Sequence, residues 1–319
     1  MAIDLASHFD ELTPLSYALW PLSLLYAAGW ETYAATYRLG LKKSVKPHAK
    51  IVCIGNLKVG GSGKTPFTIY TAQLLQELGF SVVLGLSGYG SPRSKAAVQA
   101  PPGPLNPQEW GDEPSLVRDT LPDIPMIVGR RRVLAAEIAN MAFPRSVFLM
   151  DDGFQHLPLA KDLNVILDAS GGNHLCLPAG PYREPSRNLS RADLAVPSPG
   201  FEPVRTVFCT NSDGTPADTK GDVNLLTAIA HPRRVIDSAT ALGFTVRQTV
   251  LLADHDPLRA DNLLADLPSN VPLLVTAKDW VKLRHRDDIG HRDVRIMDVR
   301  VHLADDSKYR ALLTHTLTR

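Results

Sequence analysis

Two clusters of residues in this chain have the types and spacing for phosphate chemistry. The first is GGSGKT, residues 60–65, within GNLKVGGSGKTP (Gly55–Pro66). Glycines let backbone N–H groups turn inward and approach phosphate oxygens. A lysine at that point reaches the β- and γ-phosphates of a nucleoside triphosphate, and the next hydroxyl can ligate Mg²⁺. Gly60, Gly61, Ser62, Gly63, Lys64 and Thr65 are therefore the expected ATP-binding residues, with Thr65 also on Mg²⁺. The strict pattern asks for glycine at position 58, where this chain has Lys58. The second cluster is DDGFQH, residues 151–156. Asp151 and Asp152 supply the carboxylates that a metal needs beside such a loop. DDG is also good turn chemistry, but the apolar run before it and the glycine loop upstream favour the metal reading. Gln155 and His156 are expected to line the same cleft. A basic triplet, Arg130–Arg132, opens a helix, where a cation opposes the helix dipole. An anion is expected nearby, with Arg132 as the substrate or phosphate contact.

Such residues need rigid elements to hold them. Lys50–Ile54 (KIVCI) reads as a buried strand and Phe67–Leu78 as a helix ended by Gly79. Strand, glycine loop, helix is the context that a phosphate-binding loop requires. Val147–Met150 reads as a strand that delivers Asp151 and Asp152 to its C-terminal end, where open parallel sheets bind ligands. Ser81–Leu86, Ile124–Val128 and Asn164–Leu167 add strands, and Arg131–Ala142 a helix. Strands alternating with helices predict an α/β, doubly wound parallel sheet of the P-loop NTPase type. Past the stiff PSPGFEP stretch (197–203), strands are expected at Val204–Thr210, Asn224–Ala230, Val246–Leu252 and Pro272–Thr276. A helix is expected at Pro232–Leu242, stopped by Gly243. The predicted organisation is an N-terminal segment (1–46), a P-loop core (47–200) and a smaller α/β lobe (201–319). Two such lobes can close over their substrates.

The chain has 319 residues, 34 basic and 33 acidic, so no global polycation and no nucleic-acid partner is expected. Its three cysteines contain no CxxC, which argues against a disulfide framework or structural zinc site. Leu12–Trp30 carries no charge. The stretch is short for a membrane span, and Pro14 and Pro21 argue against one straight helix through it. Acidic residues before it fit poorly with a signal peptide. A helix is predicted from Pro21 to about Leu39, with Leu22, Leu25, Tyr26, Trp30 and Tyr33 at helical spacing. One reading is an interfacial helix with Trp20 and Trp30 at headgroup depth, and with Arg38, Lys42, Lys43, Lys46 and Lys50 on anionic lipid. The other is an apolar helix packed on its own domain.

Taken in order, IGNLKVGGSGKTP, LSGYGS, GDEPSLV, VGRRRVLAA, LMDDGFQHLPLAKDLNVI, LPAGPYREP, ADHDPL and TAKDWVKL resemble the motifs of the tetraacyldisaccharide 4′-kinase (lipid A 4′-kinase) family, over about residues 50–285. Ser87 stands where the family pattern has arginine, with Arg93 as a candidate stand-in. AIAHP replaces a glycine-rich turn, and Ala277 takes an acidic position. The resemblance implies transfer of the ATP γ-phosphate to the 4′-hydroxyl of a tetraacylated glucosamine disaccharide 1-phosphate. It also implies an N-terminal amphipathic membrane helix and a location on the cytoplasmic face of the inner membrane. By the same resemblance Asp112 of GDEP takes the hydroxyl proton, with His255 as its partner. Lys64 stabilises the γ-phosphate, and Arg183 neutralises the transferred group or the substrate's 1-phosphate. Glu184 joins Asp151 and Asp152 as a metal-side carboxylate. On the residues alone, Asp112 also reads as the N-cap of a helix Glu113–Asp119, His255 as a solvated loop residue, and Arg183–Glu184 as a surface ion pair. The alternative function is a membrane-associated regulatory P-loop ATPase of the partitioning and division-site type. Its KGGxGKT lysine is out of register here, because Val59 separates Lys58 from Gly60.

Overall fold

The phosphate-binding loop leaves a strand, β1 (Lys50–Gly55), whose residues are buried almost throughout. The computed structural model describes residues 11–60, 63–168 and 172–318. Strand β1 is flanked in one sheet by β2 (Val82–Leu86), β3 (Val98–Gln99), β4 (Met126–Val128), β5 (Val147–Asp151), β6 (Leu163–Leu167) and β7 (Leu194–Val196). The order is β3-β4-β2-β5-β1-β6-β7. All neighbours are parallel except β3, which runs antiparallel to β4. The strands read as unbroken apolar runs because both faces are covered. Val52 and Ile54 point into a core shared with Phe67, Leu74 and Leu75. Ile51 and Cys53 point into the opposite core, against Ala135, Ala136 and Ala139. The helices that supply these side chains are α2 (Lys64–Glu77) and α5 (Arg132–Ala142). Between them lie α3 (Pro107–Trp110) and α4 (Asp112–Thr120).

A second sheet holds β8 (Pro203–Asn211), β9 (Gly221–Thr227), β10 (Phe244–Leu251), β11 (Leu273–Thr276) and β12 (Val294–Leu303), in the order β10-β9-β11-β12-β8. Only β8 is antiparallel to its neighbour among the described residues. Helix α6 (Pro232–Leu242) ends at Gly243 with φ 108°, the left-handed stop that glycine favours. Helix α7 (Ala277–Leu283) follows β11 directly, and the Thr276 side chain caps it by accepting from the Asp279 N–H. The PSPGFEP stretch thus lies between the two sheets. The last helix, α8 (Ser307–Thr318), does not stay with the second sheet. Tyr309, Leu313 and Leu317 join the core around Phe67, and Tyr309 Oη lies 3.1 Å from Thr71 Oγ1 of α2. The last helix therefore completes the core of the first sheet, which periodicity alone did not reveal.

The N-terminal helix α1 runs from Pro14 to Arg38, not from Pro21. Thr13 and Ser16 form a reciprocal capping box, and Pro14 occupies the first turn, where its missing N–H costs nothing. Pro21 sits inside the helix, which is fixed to the body on both sides of it. Asn173 Nδ2 donates to Ser16 Oγ (3.3 Å) and Ser23 Oγ donates to the Cys176 carbonyl (2.8 Å). The burial pattern is inverted relative to a core helix. Ser16 and Ser23 face inward, while Tyr17, Trp20, Leu22, Leu24 and Leu25 face out, Leu25 with 71% of its surface exposed. Among the described residues no helix is long and apolar enough to cross a membrane.

Candidate active site

The loop after β1 is built against the PYREP segment. Val59 N donates to the Pro181 carbonyl and Arg183 N to the Leu57 carbonyl, each at 2.8 Å. Lys58 pairs with Tyr182 across this ribbon, and its ammonium lies 5.1 Å from the Tyr182 ring centre. An extended, paired backbone needs no glycine, so Lys58 is compatible with the loop. Gly60 and Gly63 have φ of 97° and 79°, where glycine is required. Gly63 is the N-cap of α2 and supplies no side-chain cap, so the helix's N-terminal donors are left for an anion. A side chain at Gly60 would come 3.9 Å from His231 Nε2, so the AIAHP turn of the second lobe overhangs this loop. Gly61 and Ser62 lie outside the described residues.

Two adjacent side chains on a strand point to opposite faces. The chain solves this by turning at Asp152, whose φ of 55° is left-handed. Asp151 then faces Thr65, whose hydroxyl donates to Asp151 Oδ2 at 2.9 Å. Asp152 faces Arg183, whose guanidinium donates to both carboxylate oxygens at 2.9 and 3.0 Å. Lys64 Nζ lies 3.9 Å from Asp152 Oδ1. Burial and then the Glu113 charge push Asp151 up to about 7, against the pull of Lys64. Burial also pushes Asp152 up, but Lys64 and Arg183 outweigh it and hold this carboxyl below its ordinary range. Asp151 Oδ1 is buried with no hydrogen-bond partner. An orphaned buried carboxylate oxygen beside a hydroxyl and a second carboxylate fits a hard divalent cation.

Three expected ligands have other work. Arg132 is buried and donates to the Asp151 carbonyl at 2.7 Å, with weaker bonds to the Gly129 and Asp152 carbonyls at 3.4 Å. It braces the DDG turn from behind. Glu184 has no exposed surface. Its oxygens accept from Trp30 Nε1 (2.8 Å), Gln155 Nε2 (3.0 Å), Asn188 Nδ2 (3.0 Å) and the Arg191 guanidinium. That carboxylate is a hub that ties α1 to the DDGFQH loop. Among the described residues no three acidic, histidine or cysteine side chains are grouped for a metal. The Gln155 amide nitrogen is spent on Glu184 and on the Asn56 carbonyl (2.8 Å), which makes it part of the same brace. Arg93 pairs with Glu109 and covers Trp110, so its guanidinium is already engaged.

The second group spans the lobes. Gly111, with φ 95° and ψ 159°, is the N-cap of α4, and Asp112 is the first helical residue. A Cβ at Gly111 would come 3.3 Å from the Gly88 backbone, which explains why a cap side chain is absent there. Freed from capping, Asp112 Oδ2 meets His255 Nδ1 at 3.4 Å and Lys282 Nζ at 3.6 Å. His255 has φ of 63° and packs its ring 5.7 Å from that of Tyr89, an exposed aromatic of the SGYG element. Burial pushes the Asp112 carboxyl up, but the His255 hydrogen bond and the Lys282 and Lys278 charges pull it below its ordinary value. The structure thus brings together Lys64, Thr65, Asp151, Asp152 and Arg183 on one side, and Asp112 with His255 on the other. Lys278, Lys282 and Tyr89 were not singled out from the sequence. The TAKDWVKL and LSGYGS segments that contain them were the available signal.

The sequence model of a family described as tetraacyldisaccharide-1-P 4′-kinase matches residues 15–318. The tetraacyldisaccharide 4′-kinase of Shewanella pealeana is 34% identical over 286 residues, covering 85% of this chain and 86% of that protein. The protein of the same name from Shewanella halifaxensis is 33% identical over 289 residues, with 85% and 86% covered. Among solved structures, LpxK from Aquifex aeolicus in complex with ATP superposes with a TM-score of 0.80 at 27% identity, covering 95% of this chain and 99% of that one.

Proposed function

The chain belongs to the tetraacyldisaccharide-1-P 4′-kinase family, and from that premise we propose how its residues divide the work of phosphoryl transfer. It is an ATP-dependent lipid kinase of lipid A biosynthesis, which moves the γ-phosphate to the 4′-hydroxyl of a tetraacylated glucosamine disaccharide 1-phosphate. The comparisons lend no support to a partitioning-type regulatory ATPase.

The observation that carries the division of roles is the pairing of Asp112 with His255, separate from the Thr65–Asp151 bond. Phosphoryl transfer asks a protein mainly for positioning and charge neutralisation. Gly60, Gly63 and the start of α2 receive the phosphates. Lys64 and Arg183, both beside Asp152, are the cations that neutralise the transferred group. Thr65, Asp151 and Asp152 would hold Mg²⁺, which would supply positive charge against the developing phosphate charge. Asp112, held ionised, accepts the proton from the attacking sugar hydroxyl. Its partner His255 fixes the carboxylate's orientation.

The substrate is a lipid, and the outward apolar face of α1 supports docking at a membrane surface. Leu39 and Leu41 extend that face to a basic run at Lys42, Lys43 and Lys46, which suits anionic headgroups. A peripheral position on the cytoplasmic face of the inner membrane follows from this reading, since ATP is supplied there.

The test is to incubate the full chain with Mg²⁺, γ-labelled ATP and detergent-dispersed disaccharide 1-phosphate, beside a control without acceptor. Label should enter the lipid only when the acceptor is present. ATP hydrolysis indifferent to the acceptor would contradict the reading.

A further inference from the structure

The TAKDWVKL segment has no role in the division of work above, yet its helix touches both members of the proton-accepting pair. Lys278 and Lys282 are four residues apart on α7 and so share one face. Lys278 Nζ lies 3.4 Å from His255 Nε2 and 3.6 Å from Asp254 Oδ1. Lys282 Nζ lies 3.6 Å from Asp112 Oδ2 and 3.4 Å from Asp279 Oδ1, and donates to the Asp256 carbonyl at 2.9 Å. The Lys282 side chain is only 4% exposed. Asp279 is itself buried and anchored by Thr227 and Thr276 hydroxyls at 2.8 and 2.7 Å, which fixes the start of α7.

We propose that this lysine pair positions the dyad: Lys278 fixes the tautomer of His255, and Lys282 holds Asp112 as an ionised acceptor aimed at the substrate. The inference rests on the reading of Asp112 as the proton acceptor. An ammonium group donates and cannot accept. His255 Nε2, facing Lys278, must therefore be the lone-pair nitrogen, and the ring proton sits on Nδ1, directed at Asp112. This leaves Asp112, rather than His255, as the group free to take a proton from the sugar. The groups facing the dyad are Asp254, at 3.8 Å from His255 Nε2, the Tyr89 ring, and the two lysines. Burial alone would keep the Asp112 carboxyl protonated to higher pH, and the His255 hydrogen bond and then the Lys282 charge reverse this.

The test uses the full chain with Mg²⁺, ATP and dispersed acceptor. Lys282→Met should lower kcat at least roughly tenfold at pH 6, with the deficit shrinking as pH rises and KM for ATP unchanged. Lys282→Arg should restore the acid side of the profile. In long-range ¹H–¹⁵N spectra of uniformly labelled protein, assigned through His255→Gln, His255 should carry its proton on Nδ1. Lys278→Met should convert that signal to a mixture of tautomers. A Lys282→Met deficit equal at every pH, or a wild-type His255 protonated on Nε2, would overturn the proposal. Asp112→Asn serves as the control for the underlying reading. If that variant turned over like wild type, both the acceptor assignment and this inference would fall, whereas an inactive Asp112→Asn with an unshifted Lys282→Met profile removes the lysine role alone.

Discussion

The indole N–H of Trp30 donates to Glu184 Oε2 at 2.8 Å, and that carboxylate has no exposed surface. The apolar N-terminal helix is thus bonded to the residue next to Arg183, and through Gln155 to the loop that carries Asp151 and Asp152. Tyr26 Oη reinforces the link by donating to the Arg183 carbonyl at 2.8 Å. Trp30→Phe keeps the ring but deletes one donor to a buried charge. It should cost about 1–3 kcal/mol, read as a lower urea midpoint, and should lower kcat with acceptor dispersed in detergent, where no membrane is present. A midpoint and kcat matching wild type would show that the helix is a detachable anchor.

The outer face of α1 can be altered without touching those bonds. Leu22, Leu24 and Leu25 are exposed, and exposed substitutions usually change stability by about 0.5 kcal/mol or less. The triple change to serine should leave the urea midpoint near wild type and sharply reduce cosedimentation with anionic phospholipid vesicles. Retained vesicle binding would contradict the docking surface. Deleting the helix would be a poorer probe, because it also strips Trp30 from Glu184.

Asp151 carries a pH signature in metal-free, nucleotide-free protein. Its folded-state value is raised to about 7 by burial and neighbouring acids, while an unfolded aspartate titrates near 3.9. The unfolded chain therefore ionises first as pH rises. The contribution of Asp151 is full below roughly pH 4 and is lost progressively toward pH 7, after which it stays lost. Asp151→Asn has no such loss. Urea unfolding in the presence of a chelator should show the variant gaining on wild type between pH 5 and pH 8. A constant difference across that range would contradict the raised value.

Much of the first lobe was legible because its signals are local. KIVCI, VFLM and NVIL are short apolar runs bounded by glycine or acidic turns, and each became a strand of one sheet, extended by a residue. Pro232 and Gly243 marked the ends of α6 at the residues where it begins and stops. The start of α1 at Pro14 is not legible in the sequence, because Pro14 and Pro21 both argue against a continuous helix. The Thr13 capping box and the bonds at Ser16 and Ser23 supply what the prolines withhold. The convergence of Lys64 and Thr65 on Asp151 and Asp152 was legible, because a loop and a strand end of one parallel sheet bring them together. Arg132 and Glu184 have equally suggestive types, but sequence does not say which way a charged side chain faces. Both turned inward and became braces. The juxtaposition of Asp112 with His255, Lys278 and Lys282 is long-range, made by packing α4 against α7, and no spacing rule encodes it.

The most direct test of the account is Asp112→Asn, a near-isosteric change that removes the proton acceptor and leaves the phosphate loop intact. Label transfer from γ-labelled ATP to the disaccharide acceptor should fall by a factor on the order of 10² or more, while ATP binding, measured by calorimetry on the same preparation, stays within about twofold of wild type. Transfer at the wild-type rate would remove Asp112 from the chemistry and with it the cross-lobe dyad.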